Sequence, residues 1–269
     1  MAISTLHKAF LLLSLSLAPF CIPKTSFALS MKQFILSRTA IQWSSAGATW
    51  YGSPYGAGSD GGACGYGNTV SQAPYSSRVT AVGPSLYNSG RKCGACYQVK
   101  CRGHRSCSHK PVRVTITDFC PGGPCVSESV HFDLSGTAFG AMAIRGQENQ
   151  LRNAGVLSIQ FARVACYYGR TTVAFHVDPA SNPYYISIVV EFEDGDGDLA
   201  GVSLQDASST NWQAMQQSWG AEWKLDAKLW APFSILLTSK YSGRNLVARN
   251  VIPAGWKPGT TYRSFVNYL

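Results

Sequence analysis

The chain has 269 residues, 23 lysines and arginines against 14 aspartates and glutamates, and nine cysteines. That length suits one large domain or two smaller ones, and a net charge of +9 favours acidic partners. In an exported protein, acidic polysaccharides or anionic lipids are better candidates for such a partner than nucleic acid, and no nucleic acid is expected.

The chain opens on a short apolar run, "AFLLLSLSLAPF" after Lys8, followed by small residues ending at Ala28. That pattern predicts a secretory signal peptide over residues 1–28. Its removal takes away Lys8 and Lys24 and leaves a net charge of about +7, 21 basic against 14 acidic residues. No later stretch is long and apolar enough for a membrane helix, so an exported, soluble product is expected.

Cys21 leaves with the signal, and eight cysteines remain: Cys64, Cys93, Cys96, Cys101, Cys107, Cys120, Cys125 and Cys166. An even count in an exported chain predicts a disulfide framework, with 105 possible pairings. The short spacings favour Cys101–Cys107 and Cys120–Cys125 as local clips. All eight lie before residue 167, and this boundary is the strongest sign of two domains.

Residues 29–45 carry few structural cues. Residues 46–170 hold short β-type runs, "ATWY", "CYQVKC", "PVRVTITD" and "LSIQFARVACYY", between glycine-rich turns. One helix is predicted at "TAFGAMAI", with Ser135 or Thr137 as its cap. The composition changes from about residue 178. "YYISIVVEF" alternates as a half-buried strand, with Tyr184 and Ile186 pointing to the core and Tyr185 away from it. "FSILLTS", "NLVARNVIP" and "YRSFVNY" follow, so residues 178–269 predict an antiparallel β sandwich.

Several motifs invite chemistry. "CGACY" at 93–97 resembles the surround of a nucleophilic cysteine, but no histidine lies in the window 130–150 residues downstream. Structural disulfides account for Cys93 and Cys96 better than zinc does, and neither metal nor cofactor is expected. "EDGDGD" at 193–198 begins like a calcium loop, but counted from Asp194 it has Leu199 at the sixth position and Gln205 at the twelfth. It reads as a tight turn with both glycines at positive φ. Asp118 and Asp133 flank the "CPGGPC" loop, and a carboxylate pair is the usual equipment for cutting glycosidic bonds. Five of the seven tryptophans (Trp212, Trp219, Trp223, Trp230, Trp256) fall in the second half, where flat faces could pack on sugar rings. In "QSWGAEWKL", Trp219, Ala221 and Trp223 are expected on one strand face.

In order and at the right spacing, "GATWYGSPYGAGSDGGACGYG", "CGACYQVKC", "HFDLSGTAFGAMA", "VVEFEDGDGDL", "MQQSWGAEWKL" and "VIPAGWKPGTTYRS" resemble the β-expansins. These are plant cell-wall-loosening proteins related to group-1 grass-pollen allergens. The resemblance implies a mainly β chain: a double-psi β-barrel like that of family-45 endoglucanases, then an immunoglobulin-like sandwich that binds polysaccharide. It also implies the pairs Cys64–Cys93, Cys96–Cys166 and Cys101–Cys107, with Cys120 and Cys125 left to each other.

Carried over residue by residue, the groove is Thr49, Trp50, Tyr51, Asp118, His131 and Asp133, and the platform is Tyr185 and Trp219 beside Ser218. Asp133 resembles the general acid of the endoglucanases, while Ser53 stands about where their catalytic base would be. The implied function is non-hydrolytic loosening of plant cell walls by a secreted monomer that binds glucuronoarabinoxylan or cellulose. The alternatives are an endo-glucanase or xylanase using Asp133, and a protein that only binds carbohydrate.

Overall fold

A computed structural model describes residues 41–268. The expected signal peptide lies outside the described residues. Six strands close into a barrel in the order β1-β5-β2-β4-β3-β6. They are β1 (Ser44–Tyr51), β2 (Val79–Val82), β3 (Cys96–Cys101), β4 (Val112–Phe119), β5 (His131–Ser135) and β6 (Leu157–Arg163). β1 runs parallel to β5 and β2 parallel to β4, and every other pairing is antiparallel. This is the double-psi barrel. Closure leaves no free sheet edge.

Among the described residues α-helix is confined to short turns: α1 (Pro84–Tyr87), α2 (Pro124–Ser127), α3 (Gly136–Gly140) and α4 (Glu148–Arg152). The predicted helix at "TAFGAMAI" is α3, five residues long. Ser135 caps it, its hydroxyl accepting from the Ala138 N–H at 3.0 Å.

The second half forms two facing sheets. One has the order β10-β9-β13-β14, from β9 (Leu199–Gln205), β10 (Gln213–Ala214), β13 (Phe233–Ser239) and β14 (Asn245–Ile252). The other has the order β11-β12-β8-β7-β15, from β7 (Ala174–Val177), β8 (Tyr185–Glu191), β11 (Gln216–Trp219), β12 (Glu222–Asp226) and β15 (Thr261–Arg263). Phe175, Ile186, Ile188, Phe233 and Ile235 fill the space between them.

Two strand expectations need correction. Tyr184 does not point to the core: it sits in a turn before β8, 64% exposed, its N–H bonded to Asn182 Oδ1. From Ile186 onward β8 is buried on both faces. Ile186, Ile188 and Val190 belong to the sandwich core, whereas Val189 and Phe192 pack into the barrel's core. Period-two alternation cannot tell water from a second domain.

"QSWGAEWKL" is a hairpin and not one strand. Gly220 takes φ +52° between β11 and β12, leaving Trp219 exposed and Trp223 buried.

The two motifs that failed as chemistry meet each other. "EDGDGD" is the turn after β8, with Gly195 at φ +81° and Gly197 at φ +75°. A Cβ on Gly197 would stand 2.4 Å from both Cys166 Sγ and the Gly94 carbonyl, so the turn lies directly on "CGAC". Its carboxylates are all engaged. Asp194 accepts from the Tyr168 N–H and Asp196 from Tyr241 and Ser242. Asp198, buried, meets Arg163 and stands 3.4 Å from Lys92 Nζ.

The same junction buries Glu191, which faces Thr69 of the barrel at 3.4 Å. Burial pushes its carboxyl up to about 7, partly countered by the Thr69 hydroxyl and the Arg263 charge. Burial likewise raises Glu193 and Asp194. Between about pH 4.5 and 7 the folded chain keeps a proton at Glu191 that the unfolded chain loses, so stability falls as pH rises through that window. The Glu191 share is on the order of 3 kcal/mol. Thermal unfolding followed from pH 5 to 7.5 should show a melting temperature that drops with pH, and Glu191→Gln should flatten the drop. An equal slope in the variant would remove Glu191 from the account.

Candidate functional site: a groove carboxylate beside an aromatic hairpin

Strand pairing brings the two aspartates to one wall. Ala81 of β2 lies opposite Asp118 of β4 on one side and opposite Asp133 of β5 on the other. Two strand spacings put their Cα atoms about 10 Å apart on one face of one sheet. They do not confront each other across a cleft.

Their surroundings differ. Asp118 is saturated: Oδ1 accepts from the N–H groups of Ala63 (2.7 Å) and Phe119 (2.8 Å), and Oδ2 from the hydroxyls of Ser59 (2.7 Å) and Tyr51 (3.2 Å). A carboxylate has about four acceptor sites, and all four are filled. Burial and the Asp118 charge raise the Tyr51 phenol well above its usual range, which keeps it a donor.

Asp133 has one side-chain partner. Its Oδ1 accepts from Thr49 Oγ1 at 2.6 Å, and Oδ2 has no hydrogen bond among the described residues. Burial raises its carboxyl above the usual aspartate range. The Thr49 hydroxyl and the His131 charge oppose that rise, and Asp118 adds to it. The Cys120–Cys125 disulfide lies close by, its sulfurs within 4.8 Å of the carboxylate. Because those sulfurs are bonded to each other, the cluster is not a metal site.

The other residues read from sequence fall into place around this pair. Thr49 lies opposite Asp133 in the β1–β5 ladder, and Tyr51 shares its face two residues on. Trp50, between them, does not join the groove. It points to the opposite face, packs on the barrel core and donates its indole N–H to the Arg152 carbonyl at 3.0 Å. Ser53 is exposed, and its carbonyl accepts from the Gly56 N–H in the turn after β1.

The disulfides are Cys64–Cys93, Cys96–Cys166, Cys101–Cys107 and Cys120–Cys125. Sequence reading missed Glu128, Ser59, the Ala63 N–H and a stacked pair, Tyr87 and Phe119, with centroids 4.6 Å apart beside Asp118. Ser59, Ala63 and Tyr87 carry no local signature, because they meet Asp118 and its neighbours across distant sequence, whereas Glu128 lies only three residues before His131.

The aromatic hairpin sits against the loop that holds Asp118. Trp219 is 49% exposed, and a Cβ on Gly65 would stand 3.0 Å from its Cη2. Gly65 is two residues from Ala63, whose N–H holds Asp118. The Ala221 N–H bonds the Cys64 carbonyl at 3.0 Å, and Gln217 Nε2 reaches the Gly90 carbonyl at 3.3 Å, fixing the hairpin to the barrel. In the register Trp219 lies opposite Glu222, and Glu222 opposite Val189. Tyr185 is four residues before Val189, on the same face and about 13 Å along β8. Ser218 is exposed next to Trp219. Trp230 is also exposed, but lines a separate cleft with Trp256 and Pro183.

A barrel with a one-sided carboxylate wall, joined to a sandwich that shows an aromatic face, is the architecture of an expansin. A family model described as the expansin C-terminal domain matches residues 173–253, and one described as lytic transglycolase matches 79–161. The chain is 51% identical over 275 residues to a putative expansin-B2 of Arabidopsis thaliana, covering 100% of both. It is 54% identical over 230 residues to expansin-B11 of Oryza sativa subsp. japonica, covering 84% of this chain and 78% of that one. A mutant expansin of Clavibacter michiganensis, solved in complex with cellohexaose, shares the fold with a TM-score of 0.63 at 23% identity, covering 85% of this chain and 98% of that one. The chain belongs to the β-expansin family.

Among the described residues no helix is long and apolar enough to cross a membrane.

Proposed function

We propose that this chain is a secreted plant cell-wall protein that grips a matrix polysaccharide or cellulose chain and loosens its non-covalent contacts without cutting it. One observation carries the reading: of the two groove aspartates only Asp133 has an oxygen free to meet a ligand. An inverting cut needs a second carboxylate to activate water on the opposite face of the sugar, roughly 6.5–9.5 Å away. Asp118 is on the same wall and fully bonded, and Ser53 cannot hold a proton taken from water near neutral pH. Thr49, Tyr51 and Asp133 then bind sugar hydroxyls while Trp219 and Tyr185 cover ring faces.

Loosening follows if this surface binds a displaced chain more tightly than one packed in its junction, since equal affinity for both would shift nothing. The net positive charge adds attraction to acidic polymers such as glucuronoarabinoxylan, and that part weakens with salt. A monomer suffices, because groove and platform lie on one chain.

Creep of isolated wall strips under load at mildly acidic pH tests the reading. Asp133→Asn should reduce the extension rate at least tenfold, with no reducing ends released by either form. Unchanged creep in the variant would sink it. The hydrolase reading draws on the raised Asp133 carboxyl, a setting that suits a general acid. Reducing ends released from glucan or xylan by the native chain, and lost in Asp133→Asn, would establish that reading instead.

A further inference from the structure

The hydrogen bonds leading to Asp133 have a direction. Thr49 uses its single hydroxyl hydrogen on Asp133 Oδ1. While Asp133 is ionised, His131 Nε2, 2.9 Å from the same hydroxyl oxygen, carries a hydrogen and donates it. The other ring nitrogen, Nδ1, stands 2.9 Å from Glu128 Oε2. Two lone pairs cannot bond, so the Glu128–His131 pair holds one further proton.

We propose that Glu128 and His131 form a hydrogen-bonded pair that positions Asp133 through Thr49, Glu128 holding the buried ring so that its Nε2 faces the Thr49 hydroxyl. Glu128 is a positioning residue, since it touches neither ligand nor Asp133. The inference rests on Asp133 being the working group of the groove.

The arrangement is built into the barrel. His131 is 0% exposed, whereas the Glu128 carboxyl lies half-buried at a cleft of about 510 Å³ lined also by Gly47, Arg102 and Ser129. Gly47 of β1 makes the room: a Cβ there would stand 1.8 Å from Glu128 Oε2. The chain thus runs from a solvent cleft through a buried ring to the groove.

Other titratable or charged groups around it are few. Arg102 shares the Glu128 cleft, Asp118 comes from β4 and Tyr51 from β1. β2, with the sequence "VTAV", adds none, and the Cys120–Cys125 disulfide does not titrate. Carboxylate, imidazole and hydroxyl are connected as in a hydrolytic triad, but Thr49 gives its hydrogen to Asp133 and not to the ring. It is a relay, not a primed nucleophile.

The test is a carbon-13 NMR titration of the Asp133 carboxyl in the full chain, with nitrogen-15 shifts of the His131 ring. Glu128→Gln weakens the hold on the buried ring. The ring signals should shift as its Nε2 loses its fixed aim at Thr49, and the Asp133 midpoint should rise by about one pH unit as the Thr49 hydrogen bond that favours its carboxylate weakens. Gly47→Ala, which pushes the carboxylate aside without touching it chemically, should reproduce both changes. An unmoved Asp133 midpoint and an unmoved ring signal in both variants would overturn the proposal. No polysaccharide enters this measurement. If the midpoint moves but Asp133→Asn leaves wall creep unchanged, the relay stands and the proposed function fails.

Discussion

Replacing Cys96 and Cys166 together by alanine is expected to destabilise the protein by about 4 kcal/mol, the largest effect of any disulfide here. The bond closes a loop of 70 residues, and the entropy it removes from the unfolded chain grows with the logarithm of that length. Its position adds a second consequence. Cys166 pairs with Gly195 in a short bridge, and its sulfur lies where a side chain on Gly197 would go. The disulfide therefore fixes the barrel's end of the junction on which the sandwich turn sits. The control is the pair Cys120 and Cys125, which closes only five residues and is worth about 2 kcal/mol on the same footing. Denaturant unfolding of the two double variants at one pH decides the matter: equal losses would mean that loop length does not govern the Cys96–Cys166 contribution.

That junction also marks where sequence reading stopped. The barrel strands "CYQVKC" and "PVRVTITD" were legible because alternation and bounding turns are local properties. The β8–β9 turn was legible for the same reason, since Gly195 and Gly197 are needed wherever the chain bends that tightly. What "CGACY" and "EDGDGD" do was not legible, because their meaning is contact with each other across about a hundred residues. The same limit explains Tyr184, whose alternation with Ile186 continued past the true start of the strand. At the site, Asp118, His131 and Asp133 stood out as titratable residues in a resembling motif. The division of labour between the aspartates did not. It depends on which backbone N–H groups reach each oxygen, and Ala63, 55 residues from Asp118, is indistinguishable in sequence from any other alanine.

Asp118→Ala and Asp133→Asn should separate those roles. Removing the Asp118 carboxylate strands the N–H groups of Ala63 and Phe119 and the hydroxyls of Ser59 and Tyr51. Buried donors without an acceptor cost about 1–3 kcal/mol each, less where water can enter, so a loss of about 3 kcal/mol is expected. The damage should be local first. The segment 59–65 carries Gly65 beneath Trp219 and Cys64 beneath Ala221, so its release unseats the aromatic hairpin as well as the groove. Amide exchange should rise over residues 59–65 and at Ala221 before global unfolding is detectable. Asp133→Asn keeps an amide oxygen where Thr49 donates, so its stability should stay within about 0.5 kcal/mol of the native chain. If Asp133→Asn costs as much as Asp118→Ala, Asp133 is a second structural hub and its open oxygen has no special meaning. If Asp118→Ala costs nothing, its four contacts are not holding the groove, and the saturation argument that leaves Asp133 as the presenting group loses its basis.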